Sequence, residues 1–249
     1  MLTLTAAQRR EVRMPWSALI ANKAEEFWTK ATGRRIKGQG MIGAPAARVR
    51  EGFDSLRGED FGHYNLPQAW VERRQIPVVL NGRVPVVGAV VLDLGCGPGT
   101  STEVLCHYAD PSWSITGFDL TPHLIEVARS RVFRSREGRP ISPRFECQDI
   151  SEPLVVGGVA VAGGSVDLAI SGGVVGLYLS PGQAERLAAE LARVVKPGAF
   201  AAIDAGPSVS VERLRAIMEG AGFEQVGIAK SFVIEPRPKL VFERRGPVH

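Results

Sequence analysis

From about residue 88 onward, apolar runs of strand length alternate with stretches of helical spacing, and this alternation constrains the fold more than any other feature. The series runs GAVVLDLG, then TSTEVLCHYA; SWSITGFDL, then PHLIEVARSRVFRS; SPRFECQDI; SVDLAISGG, then GQAERLAAELARVV; AFAAIDAG, then VERLRAIMEGAG. Such a pattern predicts an α/β fold, a parallel sheet with helices on both faces. The last two strand-like runs, FEQVGIAKSFVI and PKLVFERR, are joined only by EPRP. Parallel neighbours need a crossover of about a dozen residues, so these two are expected to pair antiparallel and end the sheet. The Gly- and Val-rich PLVVGGVAVAGG reads as a local hairpin or loop insertion without chemistry of its own.

The preceding segment has a different texture. Trp16, Leu19, Ile20, Ala24 and Phe27 fall at helical spacing, which predicts an amphipathic helix over 16–31, with Pro15 in its first turn and Gly33 ending it. The run GRRIKGQGMIGAPAARVREG lacks a period and reads as a loop, and a second short helix is expected near 66–75. Two parts result: residues 1–83 as a helical and irregular cap, and 84–249 as the sheet domain. Charge divides along the same line. Residues 1–83 hold 14 Lys and Arg against 8 Asp and Glu, whereas the remainder holds 16 against 18. The basic excess fits a nucleic-acid surface, a solvated face or a pocket for an anionic substrate; no RNA-binding signature accompanies it, which disfavours nucleic acid. Three scattered cysteines form neither a disulfide framework nor a zinc motif, and no metal site is expected. No apolar run is long enough for a membrane span and the N-terminus is a poor secretory signal, so a cytoplasmic location is expected.

The stretch VLDLGCGPGT carries the first chemistry. Gly95, Gly97 and Gly99 follow the first sheet strand, at the carboxyl end where open parallel sheets bind ligands. A dinucleotide fingerprint would place its third glycine one residue later. Asp93, two residues before the first glycine, suits a ligand bearing an ammonium or sulfonium cation better than a pyrophosphate. Asp119 ends the second strand, placed to accept from two ribose hydroxyls, and Asp149 ends the third, placed to accept from an adenine amino group.

Across residues 85–245 the sequence resembles the class I S-adenosylmethionine-dependent methyltransferases. VLDLGCGPGT resembles their first motif, GFDLTPHLIEVAR their second and CQDI the adenine-contacting motif; SVDLAISGGVVGLYLSP, LARVVKPGAFAAID and MEGAGFEQV follow in the family's order. The resemblance implies a Rossmann-like, seven-stranded, mostly parallel sheet with an antiparallel last strand. S-adenosylmethionine is the implied cofactor and S-adenosylhomocysteine the product. By the same resemblance Gly95, Cys96, Gly97 and Gly99 would line the cofactor, with Asp93 near its amino-acid end. Asp119 would bind the ribose, Leu120 and Ile150 would cover the adenine and Asp149 would take its amino group. Ser171 and Gly172, just past the fourth strand, would meet the methionine part through backbone groups.

Methyl transfer from a sulfonium is an in-line displacement, for which alignment and exclusion of water supply most of the rate. A phenol or protonated amine would gain from a base. His107 and His123 lie on the helices after the first and second strands and His249 is the last residue, which leaves His63 as candidate base, with Tyr64 beside it as candidate lid residue. Both equally suit simple packing of the N-terminal segment on the sheet. Where many small-molecule members carry a His pair, this chain has Gly176-Leu177-Tyr178, and Tyr178 either faces the acceptor or packs in the core. A small-molecule acceptor, aromatic or anionic, is the leading expectation. An RNA or protein methyltransferase docking through the basic N-terminal third is the alternative, and a nicotinamide-dependent oxidoreductase or non-catalytic ligand-binding module is more remote. The sequence leaves monomer and homodimer open.

Overall fold

The computed structural model describes the chain apart from residues 33–40, 57, 231–237 and 247–249, and apart from the side chains of 29, 30, 58–60 and 63. After a 3-10 turn at Gln8–Arg10 come helices α1 (Trp16–Ala31), α2 (Ala46–Ser55) and α3 (Gly58–Leu80). The expected Gly33 stop of α1 lies outside the described residues. Strand β1 (Val90–Leu94), α4 (Thr100–Tyr108), β2 (Ser114–Asp119) and α5 (Pro122–Ser130) open the alternating part. A short pair, β3 (Phe133–Arg134) and β4 (Pro140–Ile141), precedes β5 (Arg144–Cys147), and a second pair, β6 (Val155–Val156) and β7 (Val159–Ala160), follows it. The chain continues through β8 (Val166–Ser171), α6 (Val175–Tyr178), α7 (Pro181–Val194), β9 (Val195–Asp204), α8 (Val211–Gly220), β10 (Phe223–Ala229) and β11 (Lys239–Arg244).

Seven strands form one sheet in the order β10-β11-β9-β8-β1-β2-β5. Strands β9, β8, β1, β2 and β5 pair parallel, and β11 runs antiparallel to both β9 and β10, as the short connection required. The Gly- and Val-rich insertion is the β6–β7 hairpin.

Period-two alternation divides the core. Leu92 and Leu94 of β1 face the layer of α7 and α8, joining Leu187, Leu191, Leu214 and Phe242. Val91 faces the other way and joins Ile76, Val79, Leu105 and Ile125 of α3, α4 and α5. Two expectations need correction. Part of the expected loop is α2, which lacks a capping side chain but seats Val49 against Met41, Leu56 and Leu177. The helix expected over 66–75 extends over 58–80 with Pro67 and Pro77 inside it. Proline inside a helix costs about 3 kcal/mol, yet Trp70, Val71, Ile76, Val79 and Leu80 are all fully buried along this one element. Tertiary packing overrides the local stop signals.

Candidate active site

One cavity lies at the carboxyl ends of β1, β2, β5 and β8, covered by α1, α2 and α3. Its floor is the turn after β1. Gly95, Gly97 and Gly99 have φ of 77°, 52° and 81°, in the left-handed region where a side chain is strained. Gly95 has a second reason to be glycine, because a Cβ there would meet the Val174 side chain at 2.1 Å. The backbone amides of Gly95 and Cys96 both donate to the Phe118 carbonyl, which ties the turn to the end of β2.

Asp119 sits beside that turn. One of its oxygens accepts from the Gly97 amide and the other from the Thr121 amide, each at 2.9 Å. Burial pushes its carboxyl pKa up, and these amides oppose the shift. The carboxylate is therefore held in place at the cavity wall with lone pairs remaining for a ligand. Asp149 is held similarly by the Ser151 amide at 2.9 Å. Leu120, Ile150 and Gly172 line the same cavity.

The side chains of Asp93, Cys96 and Ser171 point away from it and Gly99 stands at the start of α4, while the backbone role expected of Ser171 does not depend on its hydroxyl. Asp93 shares the face of Val91, so its carboxylate points at α4, where it accepts from Ser101 at 2.8 Å and Thr102 at 2.6 Å. Burial pushes its pKa up to about 6, opposed by those two hydroxyls. Cys96 is buried against Gly117, which has no room for a side chain beside the thiol. Gly99 caps α4 and abuts Phe133. The Ser171 hydroxyl donates to Asp204 at 2.7 Å, and Asp204 also accepts from the Gly176 amide at 2.9 Å. Sequence reasoning missed Asp204, although it ends β9 as Asp119 ends β2.

Tyr64 of α3 and Tyr178 of α6 meet at the far side of the cavity. Their hydroxyl oxygens lie 2.9 Å apart, and Phe53 of α2 sets its edge against both rings at 5.8 and 5.4 Å between centroids. Lys23 and Glu26 of α1 pair at 3.3 Å in the same wall. The backbone of α3 carries residue 63, but the His63 side chain lies outside the described residues. His107 bonds to Glu11, and His123 bonds to Asp54 of α2 at 2.9 Å, joining the cover to α5.

Behind Gly172 and Gly173 lies a network that the sequence did not signal. Lys239 of β11, fully buried, donates to Glu72 of α3 at 2.6 Å, and the Gln68 amide donates to the other oxygen of Glu72 at 2.6 Å. A Cβ on Gly172 would lie 2.2 Å from Glu72, and one on Gly173 would lie 2.4 Å from Gln68. Burial pushes the Glu72 carboxyl up, opposed by Lys239.

The residues present fit an adenosyl group joined to an amino acid. Two carboxylates, Asp119 and Asp149, the apolar Leu120 and Ile150, and the glycine backbone at Gly95, Gly97, Gly172 and Gly173 line one cavity with Tyr64 and Tyr178, a set of groups that such a ligand could use.

Residues 91–198 match a family model described as a methyltransferase domain. A trans-aconitate 2-methyltransferase of Escherichia fergusonii is 48% identical over 60 residues, covering 24% of this chain and 23% of the relative. An arsenite methyltransferase of Halobacterium salinarum is 30% identical over 166 residues, covering 57% and 39%. The chain thus matches less than half the length of either relative. Among solved structures, magnesium protoporphyrin IX methyltransferase from Synechocystis with bound S-adenosylmethionine superposes with a TM-score of 0.59 at 19% identity, covering 80% of this chain and 96% of that one.

Proposed function

We propose that this chain is a class I S-adenosylmethionine-dependent methyltransferase and that it transfers a methyl group to a small-molecule acceptor. One observation carries the reading: Asp119, Asp149, Gly95, Gly97 and Gly172 line a single cavity that also contains Tyr64 and Tyr178. The cofactor supplies an electrophilic methyl on a sulfonium. Asp119, fixed by two backbone amides, accepts from the ribose hydroxyls; Asp149 accepts from the adenine amino group, with Leu120 and Ile150 on the ring faces. Residues 1–83 act as a cap that closes the acceptor half and excludes water.

Phe53, Phe61, Tyr64 and Tyr178 give that half an aromatic wall, and Lys23 is the only cation among its described lining residues. The aromatic wall suits an aromatic acceptor, Lys23 being paired with Glu26. Tyr64 and Tyr178 orient the acceptor through their paired hydroxyls. A cavity covered by three helices favours a small molecule over RNA or a folded protein. An acceptor screen scored by release of S-adenosylhomocysteine tests the proposal. Turnover of aromatic acids or phenols supports it; turnover of RNA or protein alone refutes it.

A further inference from the structure

Glu72 and Lys239 pair at 2.6 Å where neither reaches water, and neither lines the cavity. A buried ion pair adds little to stability by itself, because desolvation offsets most of its attraction, so what the pair holds in place matters more. It holds Gln68. One turn earlier on α3, Gln68 does line the cavity, and its amide nitrogen donates to Glu72 at 2.6 Å. Lys239 occupies the second carboxylate oxygen. A carboxylate only accepts, so the nitrogen of Gln68 stays on Glu72 and its oxygen turns the other way. That oxygen is the Gln68 atom nearest to where a Cβ on Gly173 would stand. Gly173 lines the same cavity.

Strand order says which part of the ligand arrives there. Strands β5, β2, β1 and β8 stand side by side. Asp149 follows β5, Asp119 ends β2, Gly95 and Gly97 follow β1, and Gly172 and Gly173 follow β8. On the reading proposed above, adenine lies at Asp149 and ribose at Asp119, so the α-amino acid at the far end of the cofactor comes to Gly172, Gly173 and Gln68. Its ammonium needs an acceptor. Among the described lining acids, Asp119 and Asp149 serve the nucleoside and Glu26 pairs with Lys23. We propose that the side-chain oxygen of Gln68 accepts a hydrogen bond from the α-ammonium of the cofactor, and that Glu72, held by Lys239, is the positioning residue that keeps this oxygen turned towards it. The cap and the last strand of the sheet thereby jointly select a nucleoside that carries an amino acid over one that does not.

Calorimetry of the full chain with three probes tests this: S-adenosylhomocysteine, its deamino analogue, which keeps the carboxylate, and 5′-methylthioadenosine, which lacks the amino acid. The unaltered chain should bind S-adenosylhomocysteine about tenfold tighter than the deamino analogue, the worth of a hydrogen bond to a charged group. Gln68→Met should lose about tenfold for S-adenosylhomocysteine and less than twofold for the other two probes. The double variant Lys239→Met/Glu72→Gln should show the same selective loss, because a carboxamide at position 72 can turn either end to Gln68 and no longer fixes its direction. Unchanged 5′-methylthioadenosine affinity and circular dichroism identify both variants as folded, and the comparison of the first two probes on the unaltered chain needs no variant at all. Equal affinity of the unaltered chain for those two probes would overturn the inference and leave the cofactor reading standing. So would a loss in Gln68→Met that is absent or equal for all three probes, or no loss in the double variant. Failure of the unaltered chain to bind any of the three would overturn both.

Discussion

The hydroxyls of Tyr64 and Tyr178 lie 2.9 Å apart although 114 residues separate them in sequence. One comes from the cap and the other from the turn after β8, so the contact spans the cavity and fixes both rings against Phe53. If the pair orients the acceptor, Tyr64→Phe and Tyr178→Phe should each lower kcat/KM about tenfold, the worth of about one hydrogen bond. The double variant should be scarcely worse than either single one, because the two hydroxyls act as a unit. Cofactor affinity should not change. Steady-state kinetics with the acceptor varied, together with cofactor titration, checks all three outcomes.

The Glu72–Lys239 pair joins the cap to the last strand of the sheet where neither charge reaches water. Lys239→Met should destabilise the chain by about 3–5 kcal/mol, since it strands a buried carboxylate. Adding Glu72→Gln should restore a large part of the loss by removing the charge while keeping the shape. Urea unfolding of the three variants measures both numbers.

Asp93 gives a dependence on pH. Its folded pKa of about 6 lies above the ordinary 3.8, so the folded chain holds this proton more tightly than the unfolded one. The corresponding stability is intact below 3.8 and is lost as pH rises through about 6. Asp93→Asn removes the ionisation, so at pH 8 the variant should be the more stable by about 3 kcal/mol, a gap that closes towards pH 4. Thermal unfolding of both proteins across that range checks the sign.

His123 and Asp54 tie α2 to α5 at 2.9 Å. His123→Ala should loosen the cover, raising KM for the acceptor severalfold and admitting protease to residues 46–55 while cofactor affinity holds. Limited proteolysis with and without S-adenosylhomocysteine reads this out.

The sheet and its antiparallel ending were legible because strand alternation and connection length are local properties of sequence. Asp119 and Asp149 were legible as strand-end acids and Gly95 and Gly97 as the turn after β1, whereas Leu120, Ile150 and Gly172, which line the same cavity, came only from the family resemblance. Asp93 was legible as an acid near the turn, but its direction was not: facing α4 follows from its parity with Val91, and the ligand-charge argument overlooked it. The extent of α3 was hidden by Pro67 and Pro77, whose local signal is outweighed by burial against distant elements. Glu72, Gln68 and Lys239 left no sequence signal at all, since their meeting depends on α3 crossing the sheet to reach β11.

The most direct test is calorimetric titration of the chain with S-adenosylmethionine and with NAD, repeated on Asp119→Ala. The expected result is micromolar-range binding of S-adenosylmethionine, none of NAD, and a loss of about a hundredfold in the variant, as for a ribose held by a charged acceptor through two hydrogen bonds. Binding of NAD, or unchanged S-adenosylmethionine affinity in Asp119→Ala, would contradict the account.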